Sequence, residues 1–250
     1  MQRAVDLLGR LAFTGYAIGL LLTTLPLLWC LLRLVPPGPA ADRLVKRWSR
    51  LALGLSGLSP RVTGTEYLEQ AGSAVLVANH ASYIAPLVLM AALPSEFRFI
   101  AKHALTSYPM IGTVIRRAQH VTIEKADLSR RLAGADLITQ ALRSGISLAV
   151  FPEGTFFRPP GVLPFRLGAF RAAVDARRPI VPITLRGTRD VLPDGAWLLR
   201  RSPIDVTIGS PLVPEAQNWP EMVRLRDLAR AAIARGAGEP LVDVGRVLSS

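Results

Sequence analysis

Three short segments combine residue types that can do chemistry with positions from which they can do it. The first is Ser73-Ala-Val-Leu-Val-Ala-Asn79-His80-Ala-Ser82-Tyr83, an apolar strand pattern that runs into polar turn residues, with a helix pattern beyond. Residues at the carboxyl end of a strand project into the crevice where open α/β sheets bind ligands. A histidine there titrates near neutrality and can act as a general base. Ser82 is placed to cap the following helix, although Asn79 and Ser82 are also ordinary turn formers. The second segment, Leu148-Ala-Val-Phe151-Pro152-Glu153-Gly154-Thr155, repeats the plan. A strand ends in a carboxylate and a glycine, and the glycine lets the backbone approach a ligand closely. The third runs from Lys102 to Lys125 and contains Pro109-Met-Ile-Gly112-Thr-Val-Ile-Arg116-Arg117. Guanidinium groups bind phosphate oxygens bidentately, so paired arginines after a glycine turn suit an anionic headgroup. Each segment alone also has a plain structural reading, as a turn or a solvated basic surface.

The elements that must position these residues are legible from periodicity. From about Arg61 onward, short apolar runs alternate with helical stretches, which predicts an α/β domain. Strands are expected at 74–78, 98–101, 121–123, 147–151, 180–185 and 204–208. Helices are expected around 83–92, 128–143, 167–177 and 219–235. The reading divides the chain into a membrane anchor at 1–59, a catalytic domain at 60–236 and a tail at 237–250.

The anchor rests on a run from Leu11 to Leu32 without Asp, Glu, Lys or Arg. As a helix it spans roughly 33 Å, enough to cross a hydrocarbon core. Arg3 and Arg10 precede it; Arg33, Arg43, Lys46, Arg47 and Arg50 follow, which puts the C-terminal side in the cytoplasm if the segment spans. Pro26 lies inside the run, and Pro36-Pro37-Gly38-Pro39 turns the chain just after it. Leu44, Trp48, Leu51, Leu55 and Leu58 then recur at helical spacing among basic residues, the pattern of an interfacial amphipathic helix at 42–58. A hairpin of helices 11–34 and 42–58, dipping into one leaflet, therefore rivals a single span.

Composition agrees. The chain carries 30 Lys+Arg against 18 Asp+Glu, a net charge of +12, with 50% hydrophobic residues. A mean hydropathy of +0.33 beside a pI near 11.2 favours an acidic membrane surface over nucleic acid. Cys30 is the lone cysteine, so there is no internal disulfide framework. His80, His103, His120 and Cys30 do not make a metal site of recognisable spacing. No Gly-x-Ser-x-Gly elbow is present to suggest a serine hydrolase.

Taken in order, the segments resemble the lysophosphatidic acid acyltransferase family. His80 with Ser82-Tyr83, Pro109-x-x-Gly112-x-x-x-Arg116, Phe151-Pro-Glu-Gly-Thr155 and Val181-Pro182-Ile183 match its four blocks, over roughly 62–211. The resemblance implies a mixed sheet flanked by helices on an N-terminal helical hairpin. It implies acyl transfer from acyl-CoA or acyl carrier protein to the free hydroxyl of a lysophospholipid such as 1-acylglycerol-3-phosphate. No cofactor is implied. His80 would be the base, Glu153 and Thr155 would position the acceptor, Arg116 with Lys125 would hold its phosphate, and Asn79, Ser82 and Gly154 would complete the substrate-binding site. Backbone N–H groups near Gly154, or at the helix after His80, would stabilise the oxyanion. The catalytic domain would face the cytoplasm, among membrane lipids.

Three positions depart from the pattern. Ala85 stands where the family has an aspartate, five residues after its histidine; Ala104 replaces an acidic residue; Gln119 replaces a glycine. In the family the aspartate orients the imidazole and favours the imidazolium, and loss of such a group costs on the order of 10⁴ in rate. A catalytically impaired or non-catalytic lipid-binding protein on the same fold is therefore the alternative expectation.

Overall fold

The computed structural model describes residues 2–123 and 128–242, with the side chains of 128–135 left aside. Lys125 and the end of the expected tail lie outside the described residues. The chain opens with two helices, α1 (Gln2–Leu34) and α2 (Pro39–Leu55). There follow β1 (Arg61–Thr63), α3 (Glu66–Ala71), β2 (Val75–Ala78), α4 (Ala85–Ala92) and β3 (Phe97–Lys102). A 3-10 turn at His103–Ser107 leads into α5 (Pro109–Arg117), β4 (Val121–Ile123), α6 (Leu128–Arg143) and β5 (Ser147–Val150). The chain continues through α7 (Gly168–Ala176), β6 (Ile180–Arg186), α8 (Thr188–Val191), β7 (Asp205–Ile208) and α9 (Trp219–Ala237).

The strands form one mixed sheet in the order β1-β7-β6-β2-β5-β3-β4. Every pairing is parallel except β6 with β7. Central β2 pairs with β5 and β6, Val75 lying opposite Leu148 on one side and Ile180 on the other. Covered on both faces, β2 is buried at every position and reads as a continuous apolar run. Alternate residues face opposite sides. Leu76 and Ala78 join one core with residues of α1, α2 and α4, and Val75 and Val77 join a second with residues of α6, α7 and α9.

Local chemistry sets the helix ends. Asn218 accepts the Glu221 N–H at 3.0 Å to cap α9, and Gly238, at φ 67, ends it. Pro39 in the first turn of α2 starts that helix ahead of the expected 42. Helix α2 has two apolar sides. Ala41, Val45 and Leu53 are buried in the first core and Ala52 is buried beside them in the chain, whereas Leu51 and Leu55 stay exposed. Gln119 has φ 56, a left-handed conformation that glycine adopts without strain, which accounts physically for the glycine expected there.

Helix α1 lies on the rest of the chain along much of its length. Its Thr14 hydroxyl accepts the Leu199 N–H at 2.9 Å, and the Tyr16 hydroxyl donates to the Leu55 carbonyl at 3.1 Å. Further on, the Trp29 indole N–H donates to Thr113 Oγ1 at 3.1 Å. Arg117 donates to the carbonyls of Leu32, Arg33 and Val35 at 2.6, 2.8 and 2.5 Å, so a guanidinium satisfies the orphan acceptors at the end of α1.

Candidate active site

Three neighbouring parallel strands, β2, β5 and β3, bring their carboxyl ends to one place. His80 follows β2, Phe151 to Thr155 follow β5, and Lys102 ends β3. His80, Lys102 and, from the β5 loop, Phe151, Pro152, Gly154 and Thr155 line a cavity of about 950 Å³. Its walls are chiefly apolar, with Leu25, Leu28 and Trp29 from α1, Leu87 from α4, and Met110 and Val114 from α5.

The His80 ring lies between two phenyl rings, 4.3 Å from Phe151 and 4.4 Å from Phe156 between centroids. Its Nδ1 is sealed from solvent and has no hydrogen-bond partner among the described residues. That leaves Nε2 as the nitrogen able to meet a substrate. Burial, with a smaller push from the Lys102 ammonium, lowers the His80 pKa to about 4. The imidazole is therefore neutral at pH 7, the form a general base requires, but nothing near it favours the imidazolium. Ala85 is fully buried, at 0% exposure, at the start of α4, and its N–H donates to the Ser82 carbonyl at 3.1 Å.

Asn79, Ser82 and Glu153 turn out to hold the turn rather than face the cavity. Asn79 continues the β2–β6 ladder with its side chain, donating to the Leu185 carbonyl at 2.9 Å and accepting the Leu185 N–H at 2.7 Å. The Ser82 hydroxyl donates to the Leu192 carbonyl at 2.7 Å and accepts the Ile84 N–H at 3.3 Å. It makes no cap bond to α4, whose N-cap residue is Ile84. Glu153 is 4% exposed, and its two oxygens accept the backbone N–H groups of His80 at 2.6 Å and Leu163 at 2.8 Å. Burial pushes its pKa up to about 7, while those two N–H bonds pull towards the carboxylate. Each oxygen thus bonds to backbone, which ties the His80 turn to the loop after β5.

Gly154 and Thr155 line the cavity beside His80. Gly154 has φ 70, a left-handed turn conformation that favours glycine, and a Cβ there would lie 2.7 Å from the Arg166 guanidinium carbon, so a larger residue would also displace that side chain. Arg116 is not brought to the cavity wall. Its side chain is exposed and donates to the Thr106 carbonyl at 3.3 Å. Among the described residues, the cations that line the cavity with His80 are Lys102 and Arg166. Lys102 had a signal in the sequence, the same strand-end position as His80. Arg166 had none, because it reaches Gly154 from a loop.

The crystal structure of the 1-acyl-sn-glycerophosphate acyltransferase PlsC from Thermotoga maritima superposes with a TM-score of 0.74, covering 95% of this chain and 97% of that one at 21% identity. The Acyltransferase family model matches residues 59–186, and the chain belongs to that family. The 1-acyl-sn-glycerol-3-phosphate acyltransferase of Cocos nucifera is 29% identical over 173 residues, 69% of this chain and 55% of that protein. Its counterpart in Limnanthes douglasii is 30% identical over 166 residues, 65% of this chain and 57% of that protein. The chain thus spans a little over half the length of these curated relatives.

Proposed function

We propose that this chain moves an acyl group from a thioester, of CoA or acyl carrier protein, to the free hydroxyl of 1-acylglycerol-3-phosphate or a similar lysophospholipid. The observation that carries the reading is a neutral histidine lining an apolar cavity of about 950 Å³ that Lys102 and Arg166 also line. Apolar walls suit an acyl chain, at about 0.8 kcal/mol for each methylene buried. The two cations suit a phosphate. His80 Nε2 removes the proton from the acceptor hydroxyl, and that oxygen attacks the thioester carbonyl. The tetrahedral intermediate collapses with release of the thiol, and no acyl-enzyme forms. Purified full-length protein should acylate lysophosphatidate from a radiolabelled acyl thioester, and His80→Ala should lose at least 10²-fold in rate. Equal turnover by His80→Ala protein of unchanged stability would remove His80 as the base.

The unpartnered Nδ1 of His80 and the buried Ala85 favour one second reading, a lipid-binding protein of low or no turnover on this fold. In that case lysolipid binds the cavity and no product appears.

The 1–59 anchor is read as lying in one leaflet. Helix α1 is long and apolar enough to cross a membrane. However, it makes contacts to the rest of the chain from Arg10, which donates to the Leu198 carbonyl, to Leu32 and Arg33, whose carbonyls Arg117 caps. A perpendicular span would carry that packed surface into hydrocarbon, where its polar groups lose water. Lying in the plane instead, α1 offers Leu8, Leu22 and Leu34 to lipid, and Trp197, 91% exposed on the segment packed against α1, suits the interface. In a Cys30→Ser background, Gln2→Cys should react with an impermeant maleimide from the cytoplasmic face. Labelling from the opposite face alone would show a span.

A further inference from the structure

Two charged residues beyond the family-matched stretch converge on the loop that follows Glu153-Gly154-Thr155. Arg189, in α8, meets Glu239, just past α9, through a double hydrogen bond, Nε to Oε1 at 2.9 Å and Nη2 to Oε2 at 2.8 Å. Their side chains are 13% and 15% exposed, too dry to be an ordinary surface pair. The pair's remaining bonds all go to the loop. Arg189 Nη1 donates to the Phe157 carbonyl at 2.6 Å and the Arg158 carbonyl at 3.3 Å, and Glu239 Oε2 accepts the Gly161 N–H at 2.9 Å. Arg230 holds the next two residues, donating to the carbonyls of Val162 at 2.8 Å and Leu163 at 2.9 Å.

The residue just before this gripped stretch is Phe156. Its ring covers His80 and meets Tyr83 edge-on at 4.8 Å. With Nδ1 unbonded, hydrogen bonding does not fix the plane of the His80 ring from that side; the phenyl rings on its faces do. Phe151 continues directly from β5, so the sheet sets its place. Phe156 lies five residues further along, in irregular backbone, and takes its place from the loop.

We propose that Arg189 and Glu239 are positioning residues for His80. By fixing the carbonyls of Phe157 and Arg158 and the amide of Gly161, they hold the Phe156 ring over the imidazole. The proposal rests on His80 being the reacting base, but its test needs no turnover.

The test is an NMR titration of the full-length protein labelled with ¹³C-histidine, the His80 signal being identified by its loss in His80→Gln. Arg189→Gln and Glu239→Gln should release Phe156, let water reach the ring, and raise the His80 pKa from about 4 by a unit or more towards the ordinary 6.5. Phe156→Leu should do the same with the ion pair intact. His120, half-buried against Phe99, should not move in any of them. A His80 titration unchanged in both ion-pair variants, even with lowered thermal stability, would make the pair a plain structural brace and overturn the proposal. An unchanged titration in Phe156→Leu would overturn it equally. If Arg189→Gln does not fold, Glu239→Gln carries the same decision, since it keeps one acceptor oxygen. Absence of acyl transfer in the unaltered protein would count against the base assignment and leave this result standing.

Discussion

Ala85→Asp should raise acyl transfer by about 10³ to 10⁴, equivalent to about 4–5.5 kcal/mol of barrier. His80 has what a base needs in geometry, because its ring is clamped between Phe151 and Phe156 and its protonation state is neutral. What it lacks is a partner for Nδ1 and a charge to favour the imidazolium as the proton arrives. A carboxylate at position 85, at the first turn after the His80 loop, supplies both by accepting the Nδ1–H bond and holding Nε2 unprotonated. The His80 pKa should rise with it. The gain has a cost in stability, since Ala85 is fully buried and a carboxylate there is tolerated only if it pairs. The variant should therefore be more active and somewhat less stable, and kcat/KM with the thermal midpoint of both proteins checks both halves. Unchanged turnover, with lysolipid still bound, would favour the non-catalytic reading.

Glu153→Ala should be the most damaging single change to the folded site. It strands two buried donors, the N–H groups of His80 and Leu163, at about 1–3 kcal/mol each, or about 2–6 kcal/mol together. In a chain of this size the thermal midpoint falls by about 2–4 °C per kcal/mol. Acyl transfer should fall as well, because the turn carrying His80 loses its tie to the loop carrying Phe156. Glu153→Gln should fall between the two, keeping one acceptor while turning an amide N–H towards a backbone N–H. Calorimetry beside steady-state kinetics separates this from the reading in which Glu153 touches the acceptor. A native midpoint with only the acceptor KM raised would restore the latter.

The parts of this site visible in the sequence were those carried by strands. The apolar run before Asn79-His80 and the one before Glu153 had to be buried parallel strands, and their carboxyl ends had to share a crevice. The sheet order then made them neighbours. Strands expected at 74–78, 98–101, 121–123, 147–151, 180–185 and 204–208 all form, with ends shifted by a residue or so. Strand β1 escaped notice because Arg61-Val62-Thr63 holds a single apolar residue, whereas the equally short β4 alternates Val121 and Ile123 about Thr122, and α5 escaped because nine residues opening on a proline read as a basic motif.

Side-chain roles were less legible, because a polar residue in a turn looks the same whether it faces a ligand or a backbone. Asn79, Ser82 and Glu153 bond to backbone groups far along the chain, at Leu185, Leu192 and Leu163, and no local pattern announces such partners. Arg116 and Arg117 formed one basic pair in the sequence, yet on a helix adjacent residues point about 100° apart. One reaches Thr106 and the other caps α1. The amphipathic stretch at 42–58 concealed a second apolar side, which packs in the core beside residues of α4.

If His80 is the base of an acyl transfer, position 85 governs it. The most direct test is product formation from a radiolabelled acyl thioester and lysophosphatidate by Ala85→Asp and by the double variant Ala85→Asp/His80→Ala. A gain of about 10³ or more is expected in the first and its complete disappearance in the second. A gain that survives the loss of His80, in folded protein, would contradict it.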